Sequence, residues 1–385
     1  MNRERPSPSL LQGTGQSGIL AGSSGARESS LNQSFPCHLL SYTVRSQIPY
    51  RNLPMPPFRI TRDSGIPLIG SLYFGIIDRG TNLLQVRPNC SCNISCPFCS
   101  VDAGPGSRTR ITTYEVERNY LVQWVRQVVE FKGDGVECHI DSPGEPLLYP
   151  EIVPLVQDLK GIPGVRVVSM QTNGTLLSSK MIDGLASAGL DRLNLSLHAL
   201  AGTLAGTLAG VSWYDVEQVK ESARKVAQSA IDLLIAPVYL PGSNDGEIPG
   251  LIAFAREIGA GKKWPALGIQ KCEHYRYGRN IGGMKFQTWW QFYNRSIRAW
   301  EKESGMKLLI TPRDFGIEKR EMLPAVFRKG EKVLVDIRAP GWIRGEMLGV
   351  GRNRIVSVMD CPRDQGAVRV QIVSAKHNIH VAKPA

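Results

Sequence analysis

The chain has 385 residues, room for about two domains with tails. Its 42% apolar and 21% charged residues fit a folded globular protein, and the absence of any run of about 18 apolar residues excludes a helical membrane span. The formal net charge is +12, and two stretches account for all of it: residues 271–313, with nine Lys and Arg against three Glu, and residues 325–385, with eleven against five acidic residues. Basic charge confined to the C-terminal third points to a polyanion-facing side, with a solvated basic surface as the plain alternative.

Residues 1–35 are rich in Ser, Gly and Pro without apolar period and read as a disordered tail. They lack the apolar core of a signal peptide. The eight cysteines are therefore expected in a reducing cytoplasm, where metal binding or catalysis outweighs disulfides. Met55 is a second candidate start. Residues 36–80, with Pro49, Pro54, Pro56 and Pro57, read as an extension packed on the next domain.

From about residue 81, short apolar runs alternate with helical stretches. Strands are expected at Leu83–Val86, Val136–Ile140, Val165–Met170, Arg192–Leu197, Leu233–Tyr239 and Leu267–Cys272. Helices are expected at Thr113–Phe131, Ile152–Leu159, Ser178–Ala188 (with Ser178 as cap), Val216–Ser229 and Ile248–Ile258. This alternation implies parallel βαβ units in an open barrel or a doubly wound sheet, whose ligands gather at the C-terminal strand ends. The tandem repeat from Ala201 to Leu208 reads as a loop expansion without function. Residues 281–325 read as a helical connection, with Phe286, Trp289, Trp290, Tyr293, Ile297 and Trp300 forming a core stripe. Residues 326–385 hold β-type runs at Lys332–Arg338, Arg354–Met359 and Val368–Ser374, separated by Gly/Pro turns, which is the texture of a small all-β barrel.

The chemistry concentrates after the first strand, in Cys92-Asn93-Ile94-Ser95-Cys96-Pro97-Phe98-Cys99. Three thiolates in one short loop can hold a metal centre and leave a coordination position open. A structural zinc site takes four ligands in paired spacings, and only the cramped Cys90 offers a fourth. An iron–sulfur cluster held by three thiolates fits the spacing better.

The triad, with Phe98 before its last cysteine, resembles the radical S-adenosylmethionine (SAM) superfamily. Further landmarks follow in order over residues 81–280. Pro143-Gly144-Glu145 is similar to the family's Gly-Gly-Glu motif with its first Gly replaced. Thr172-Asn173-Gly174, Asn194-Leu195-Ser196 and Leu240 to Asp245 are also similar to it. The resemblance implies an α/β fold, a partial (βα)6 barrel, with Cys92, Cys96 and Cys99 as ligands of a [4Fe–4S] cluster. SAM would chelate the fourth iron and be cleaved reductively to a 5′-deoxyadenosyl radical. Phe98 would pack near the adenine, Gly144 and Glu145 would meet the SAM amino group, and Ser196 would bond the ribose or carboxylate. Asn173 and Asn244 would line the site, and Ile269 and Gln270 would touch the adenine. His198 is a candidate cavity residue or a structural histidine, and Cys138 reads as core. Cys272 is a candidate reactive thiol beside Lys271, Glu273, His274, Tyr275 and Tyr277, the cluster best placed to meet substrate.

The C-terminal segment resembles a TRAM domain, a small RNA-binding barrel, on its Gly-rich middle, its strand into Asp360-Cys361-Pro362 and its late Gly366. A radical SAM core followed by TRAM resembles tRNA methylthiotransferases. Their three additional N-terminal cysteines are missing here, since residues 1–89 hold only Cys37. Radical methylation would need a thiol pair, such as Cys272 with Cys138 or Cys361. The whole chain most resembles uncharacterised archaeal radical SAM proteins. The leading expectation is a cytoplasmic radical SAM enzyme acting on RNA, most simply tRNA, with a ferredoxin or flavodoxin as electron donor. The alternatives are a radical SAM enzyme for a small metabolite or peptide and a noncatalytic, metal-containing RNA-binding protein.

Overall fold

Residues 56–385 are described by a computed structural model. The tail over 1–35, Cys37, Met55 as a start and the first part of the 36–80 extension lie outside the described residues. The extension enters with β1 (Phe58–Ile60) and β2 (Gly75–Asp78), the second of which pairs antiparallel with β3 (Leu83–Arg87). The chain then runs through β4 (Tyr114–Val116), α1 (Arg118–Lys132), β5 (Val136–Ile140), α2 (Ile152–Lys160), β6 (Val165–Thr172), α3 (Ser179–Ser187) and β7 (Arg192–Leu195). It continues with α4 (Gly202–Ala209), α5 (Val216–Gln228), β8 (Asp232–Ile235), β9 (Val238–Tyr239), α6 (Glu247–Glu257) and β10 (Gln270–Lys271). One sheet has the order β2-β3-β5-β6-β7-β8, with every neighbour from β3 onward parallel. A parallel bridge from Ile235 to Leu267 and the β9–β10 pair extend it, giving the expected α/β partial barrel.

Several expected elements change at their ends. The helix expected from Thr113 starts only at Arg118, because Tyr114–Val116 is recruited in parallel by β1, a partner more than fifty residues away. The runs at 233–239 and 267–272 are broken, the first at Ala236-Pro237, where proline cannot donate to a ladder. The 201–208 repeat is helix α4 and not a loop. Its Ala and Leu residues are strong helix formers, and Ala205, Leu208 and Ala209 are buried. Ser178 caps α3 as expected, accepting from the Met181 amide at 3.2 Å.

Alternation along each strand sorts the barrel into two environments. Leu84, Val86, Cys138, Ile140, Val168, Met170, Leu193 and Leu195 join the large core between sheet and helices. The alternate positions face inward in layers. At the bottom, Leu83, Val167 and Leu234 meet Trp264, Phe315 and Ile317 in a separate apolar cluster. The last two come from the 281–325 connection, which therefore plugs the barrel. Its helical part is α7 (Trp289–Gln291), a π-type turn over Phe292–Ile297, and α8 (Arg298–Ser304). The π turn rotates the expected stripe: Phe292 and Ile297 are buried, while Trp290 is 62% exposed.

The C-terminal segment is a closed barrel of five strands, β11 (Lys332–Pro340), β12 (Glu346–Gly351), β13 (Arg354–Met359), β14 (Gly366–Ser374) and β15 (Val381–Pro384). Its order is β11-β12-β13-β15-β14, with only β13–β15 parallel, consistent with an OB-like barrel. β12 and β15 were not among the expected strands; the glycines of β12 read as turns in isolation. The barrel is docked against the partial barrel. Leu348, Ile355 and Trp342 belong to the main core, whereas Val356 and Val358 fill the barrel interior. Trp342 is fully buried, with the Arg110 guanidinium 3.6 Å from its ring and Tyr73 4.2 Å away. The Ile355 amide donates to Ile69 O at 2.9 Å, and the Tyr114 hydroxyl donates to Pro340 O at 2.8 Å.

Two outcomes follow. Trp342→Ala empties a ring site shared by both barrels and should lower stability by about 3–5 kcal/mol in chemical denaturation. His380 is buried, donates Nδ1–H to Ile355 O at 2.9 Å, and is pushed down to about 4 by burial. The unfolded chain takes up that proton near pH 6.5, so stability should fall as pH drops from about 6.5 towards 4, and His380→Gln should make that fall shallower, removing only its own share.

Candidate active site

The loop leaving β3 lies across the C-terminal ends of the parallel strands. Cys92, Cys96 and Cys99 share one cavity wall, and the same cavity is lined by Phe98, Gly144, Asn173, Ser196, His198, Gln270 and Cys272. The loop is seated by backbone contacts. The Glu145 amide donates to Ser91 O at 2.7 Å, and a Cβ on Gly144 would lie 2.2 Å from that same oxygen. Gly144 is thus the position of the altered motif that must stay glycine, while Pro143 takes part in the cavity lining. The Ser95 amide donates to Ala209 O at 2.8 Å, so α4, read from sequence as having no role, holds the middle of the loop.

The thiols differ in environment. Burial, aided by the Cys96 and Cys99 sulfurs, pushes the Cys92 thiol well up, and burial with neighbouring Cys99 pushes Cys96 to about 12. The Ala103 amide points at Cys99 Sγ, 3.4 Å away. Among the described residues no three His, Cys, Asp or Glu side chains converge as a single ion requires. Cys92, Cys96 and Cys99 line one wall of the cavity, where three thiolates could hold an iron–sulfur cluster. Cys90 is no fourth ligand: it is buried off the cavity, its sulfur accepts from the Tyr114 amide at 3.1 Å, and burial holds its thiol near about 12.

Other expected residues fall into two groups. Phe98 is nearly buried, with its ring edge-on to His198 at 5.0 Å. His198 Nδ1 accepts the Val238 amide at 3.0 Å, and burial lowers its pKa to about 4, so it is a neutral wall residue. Ser196 accepts from Gln171 Nε2 at 2.6 Å, and Asn173 donates to Asn93 Oδ1 at 2.9 Å. Glu145, Asn244 and Ile269 are not brought to the wall. Glu145 is buried and accepts from the Leu147 amide, the Thr172 hydroxyl and the Asn173 amide, with burial raising its pKa to about 7 against those bonds. It shapes the turn that carries Asn173. Asn244 is fully buried, its Oδ1 accepting from Leu240 and its Nδ2 donating to His198 O and Val238 O. Ile269 is core. Cys272 lines the cavity, its thiol raised by burial to about 11. Cys138 lies in the core behind the sheet and Cys361 in the C-terminal barrel, so neither expected thiol partner shares the cavity with Cys272.

Sequence reasoning missed the inner wall: Gln85, Arg87, His139, Asp141 and Gln171. Their signal was the polar half of the strand alternation, masked by the apolar half that defined the strands. His139 is held in one tautomer. Its Nδ1 meets Ser169 Oγ at 2.7 Å, and that hydroxyl donates to Glu137 Oε1 at 2.6 Å, where Arg192 also donates at 2.5 Å. The hydroxyl proton is committed to the carboxylate, so Nδ1 carries the imidazole proton and Nε2 keeps its lone pair. Burial lowers the His139 pKa, which keeps the ring neutral.

The family profile described as the radical SAM superfamily matches residues 86–255. Over 368 residues the chain is 38% identical to "Uncharacterized protein MJ0103" of Methanocaldococcus jannaschii, covering 90% of this chain and 84% of that one. The chain belongs to the radical SAM superfamily. It is also 29% identical over 199 residues to a GTP 3′,8-cyclase of Chlorobaculum tepidum, spanning 51% of this chain and 56% of the cyclase. Against solved structures the likeness is slight: Streptococcus suis SuiB bound to precursor peptide SuiA superposes with a TM-score of 0.47 at 19% identity, over 60% of this chain and 48% of that one. Family membership makes the chain an enzyme and supplies its cofactors, a [4Fe–4S] cluster and SAM. The noncatalytic reading falls with it. No described helix is long and apolar enough to cross a membrane.

Cys92→Ser, Cys96→Ser and Cys99→Ser should each lose most of the iron and the charge-transfer absorbance of anaerobically reconstituted protein. Cys90→Ala should retain both.

Proposed function

We propose that this enzyme cleaves SAM reductively and uses the resulting radical to modify RNA, most simply tRNA. Cys92, Cys96 and Cys99 would hold the cluster, and a low-potential carrier such as ferredoxin or flavodoxin would reduce it. The bound cofactors supply the one-electron chemistry that yields a 5′-deoxyadenosyl radical. The chain's residues bind, orient and exclude water. Phe98, backed by His198, offers an apolar face for the adenine. Asn173, Ser196 and Gln270 offer polar contacts on the same wall. Below them Gln85, Arg87, His139, Asp141 and Gln171, facing Lys271, Glu273 and Tyr275, offer donors and acceptors to a polar substrate.

The observation that supports RNA is where the basic barrel sits. Its 340–345 turn bridges to Arg110, whose Nε donates at 2.5 Å to the carbonyl of Val101, a cavity-wall residue. Arg344 on that turn and Lys332 and Arg369 on the outer sheet are exposed. A polyanion held at Arg344 would lie beside the cavity rather than at the end of a tether.

One observation favours a second reading, a small polar substrate. The β12–β13 face, which OB-like barrels use for single strands, is covered by the main core through Leu348 and Ile355. The partial likeness to proteins named GTP 3′,8-cyclase points the same way.

Anaerobically reconstituted enzyme with dithionite and SAM should release 5′-deoxyadenosine and methionine. Bulk tRNA should bind at about 50 mM salt and lose affinity steeply by about 200 mM, as phosphate contacts require. Paired Arg344→Glu and Arg369→Glu changes should weaken binding without altering cluster content. No tRNA binding even at low salt would shift the assignment to the small substrate.

A further inference from the structure

Arg279 lies beyond the last strand of the barrel, yet it reaches the cysteine loop through both backbone and side chain. Its amide donates to Cys99 O at 2.8 Å. Its Nε donates to Cys96 O at 2.7 Å and its Nη2 to Ala103 O at 2.7 Å, while Nη1 pairs with Asp102 Oδ1 at 2.9 Å. Four donors from one residue thus fix the carbonyls of two of the triad cysteines and the limb that follows them. Only a planar guanidinium fork presents three of these donors at once.

We propose that Arg279 is the positioning residue of the cluster site: it locks the Cys96–Ala103 limb in ligating shape and, by its charge, sets the cluster's reduction potential. The proposal rests on the reading that Cys92, Cys96 and Cys99 hold the cluster.

Two independent features support it. A Cβ on Gly278 would lie 2.7 Å from Ser100 O and 2.8 Å from Cys99 O, so the turn carrying Arg279 touches the loop backbone to backbone. Asp102, the counter-charge, is itself built in. Its carboxylate is almost wholly buried, and Oδ2 accepts from the Thr109 hydroxyl at 2.6 Å and from the Thr109 and Arg108 amides at 2.9 and 3.0 Å. Reduction adds one electron to the cluster and nothing else, so a nearby cation favours the reduced state. Removing Arg279 deletes that cation and leaves Asp102 buried and unpaired, and both changes disfavour the added electron.

The test compares the wild-type full chain with Arg279→Gln, Arg279→Lys and Gly278→Ala, all reconstituted anaerobically, with Cys99→Ser as the cluster-free control. Iron content, loss of iron to a chelator and an EPR-monitored redox titration are measured. Arg279→Gln should lose iron about tenfold faster or more and titrate at a more negative potential. Arg279→Lys keeps the charge without the fork and should lose iron faster at near wild-type potential. Gly278→Ala pushes the turn off the loop and should weaken retention as well; it also covers the case in which Arg279→Gln fails to fold. Wild-type retention and potential in the Arg279 variants, beside a normally loaded wild-type chain, would overturn this proposal alone. A wild-type chain that takes up no cluster would overturn the site reading and this proposal with it.

Discussion

The Arg192 guanidinium lies 5.0 Å from the Trp264 ring and 4.8 Å from the Phe315 ring, with its Nη2 on Glu137. Both side chains of the pair are 3% exposed. Such a pair is weak evidence of net stability, but losing one member costs about 3–5 kcal/mol because the other charge is stranded. Its importance here is as a floor. Below it the barrel is filled by the apolar side chains of Leu83, Val167, Leu234 and Ile317. Above it Ser169 and His139 continue the hydrogen-bond chain into the cavity. The layer separates a packed core from a polar reaction chamber within one set of strands, and it fixes the tautomer of the histidine facing that chamber.

The roof is built on a different principle. The cysteine loop has little regular structure of its own, and its shape comes from segments distant in the chain. Ala209 holds Ser95, the 144–145 turn holds Ser91, and Arg279 holds Cys96 and Cys99. Each contact depends on backbone carbonyls whose positions are set only once the barrel has closed. Burial and neighbouring sulfurs hold the Cys92 and Cys96 thiols away from ionisation, so a metal centre bound there would displace their protons. The C-terminal barrel adds a third support. Trp342, Arg110 and Tyr73 stack at its junction with the core, and Arg110 also bonds the wall at Val101. A charged module docked through an apolar seam has one orientation relative to the cavity, which a flexible linker would not give it.

The strands of the partial barrel, the triad and the order of its landmarks were legible in the sequence because each is local. An apolar run reports its own strand, and C-x3-C-x2-C reports its own loop. The inner wall was less legible, since Gln85, His139 and Gln171 look like interruptions of strands when they are the face that matters. The roles of Glu145 and Asn244 shifted for a related reason. A carboxylate or amide beside a motif can turn to ligand or to backbone, and here three donors around Glu145 and three partners around Asn244 decided for backbone.

By itself the sequence determined the family, the fold class and the three thiols, since periodicity and short-range spacing need no long-range information. Tertiary structure alone decided that Cys90 stands apart from the triad, that neither Cys138 nor Cys361 shares the cavity with Cys272, and that the 201–208 repeat is a helix bracing the loop. It also decided that β4 is a strand and that Arg279 reaches across 183 positions to Cys96. All of these depend on which surfaces meet once the sheet curls, and pairing of that kind is fixed by packing across the chain rather than by any residue's own neighbours.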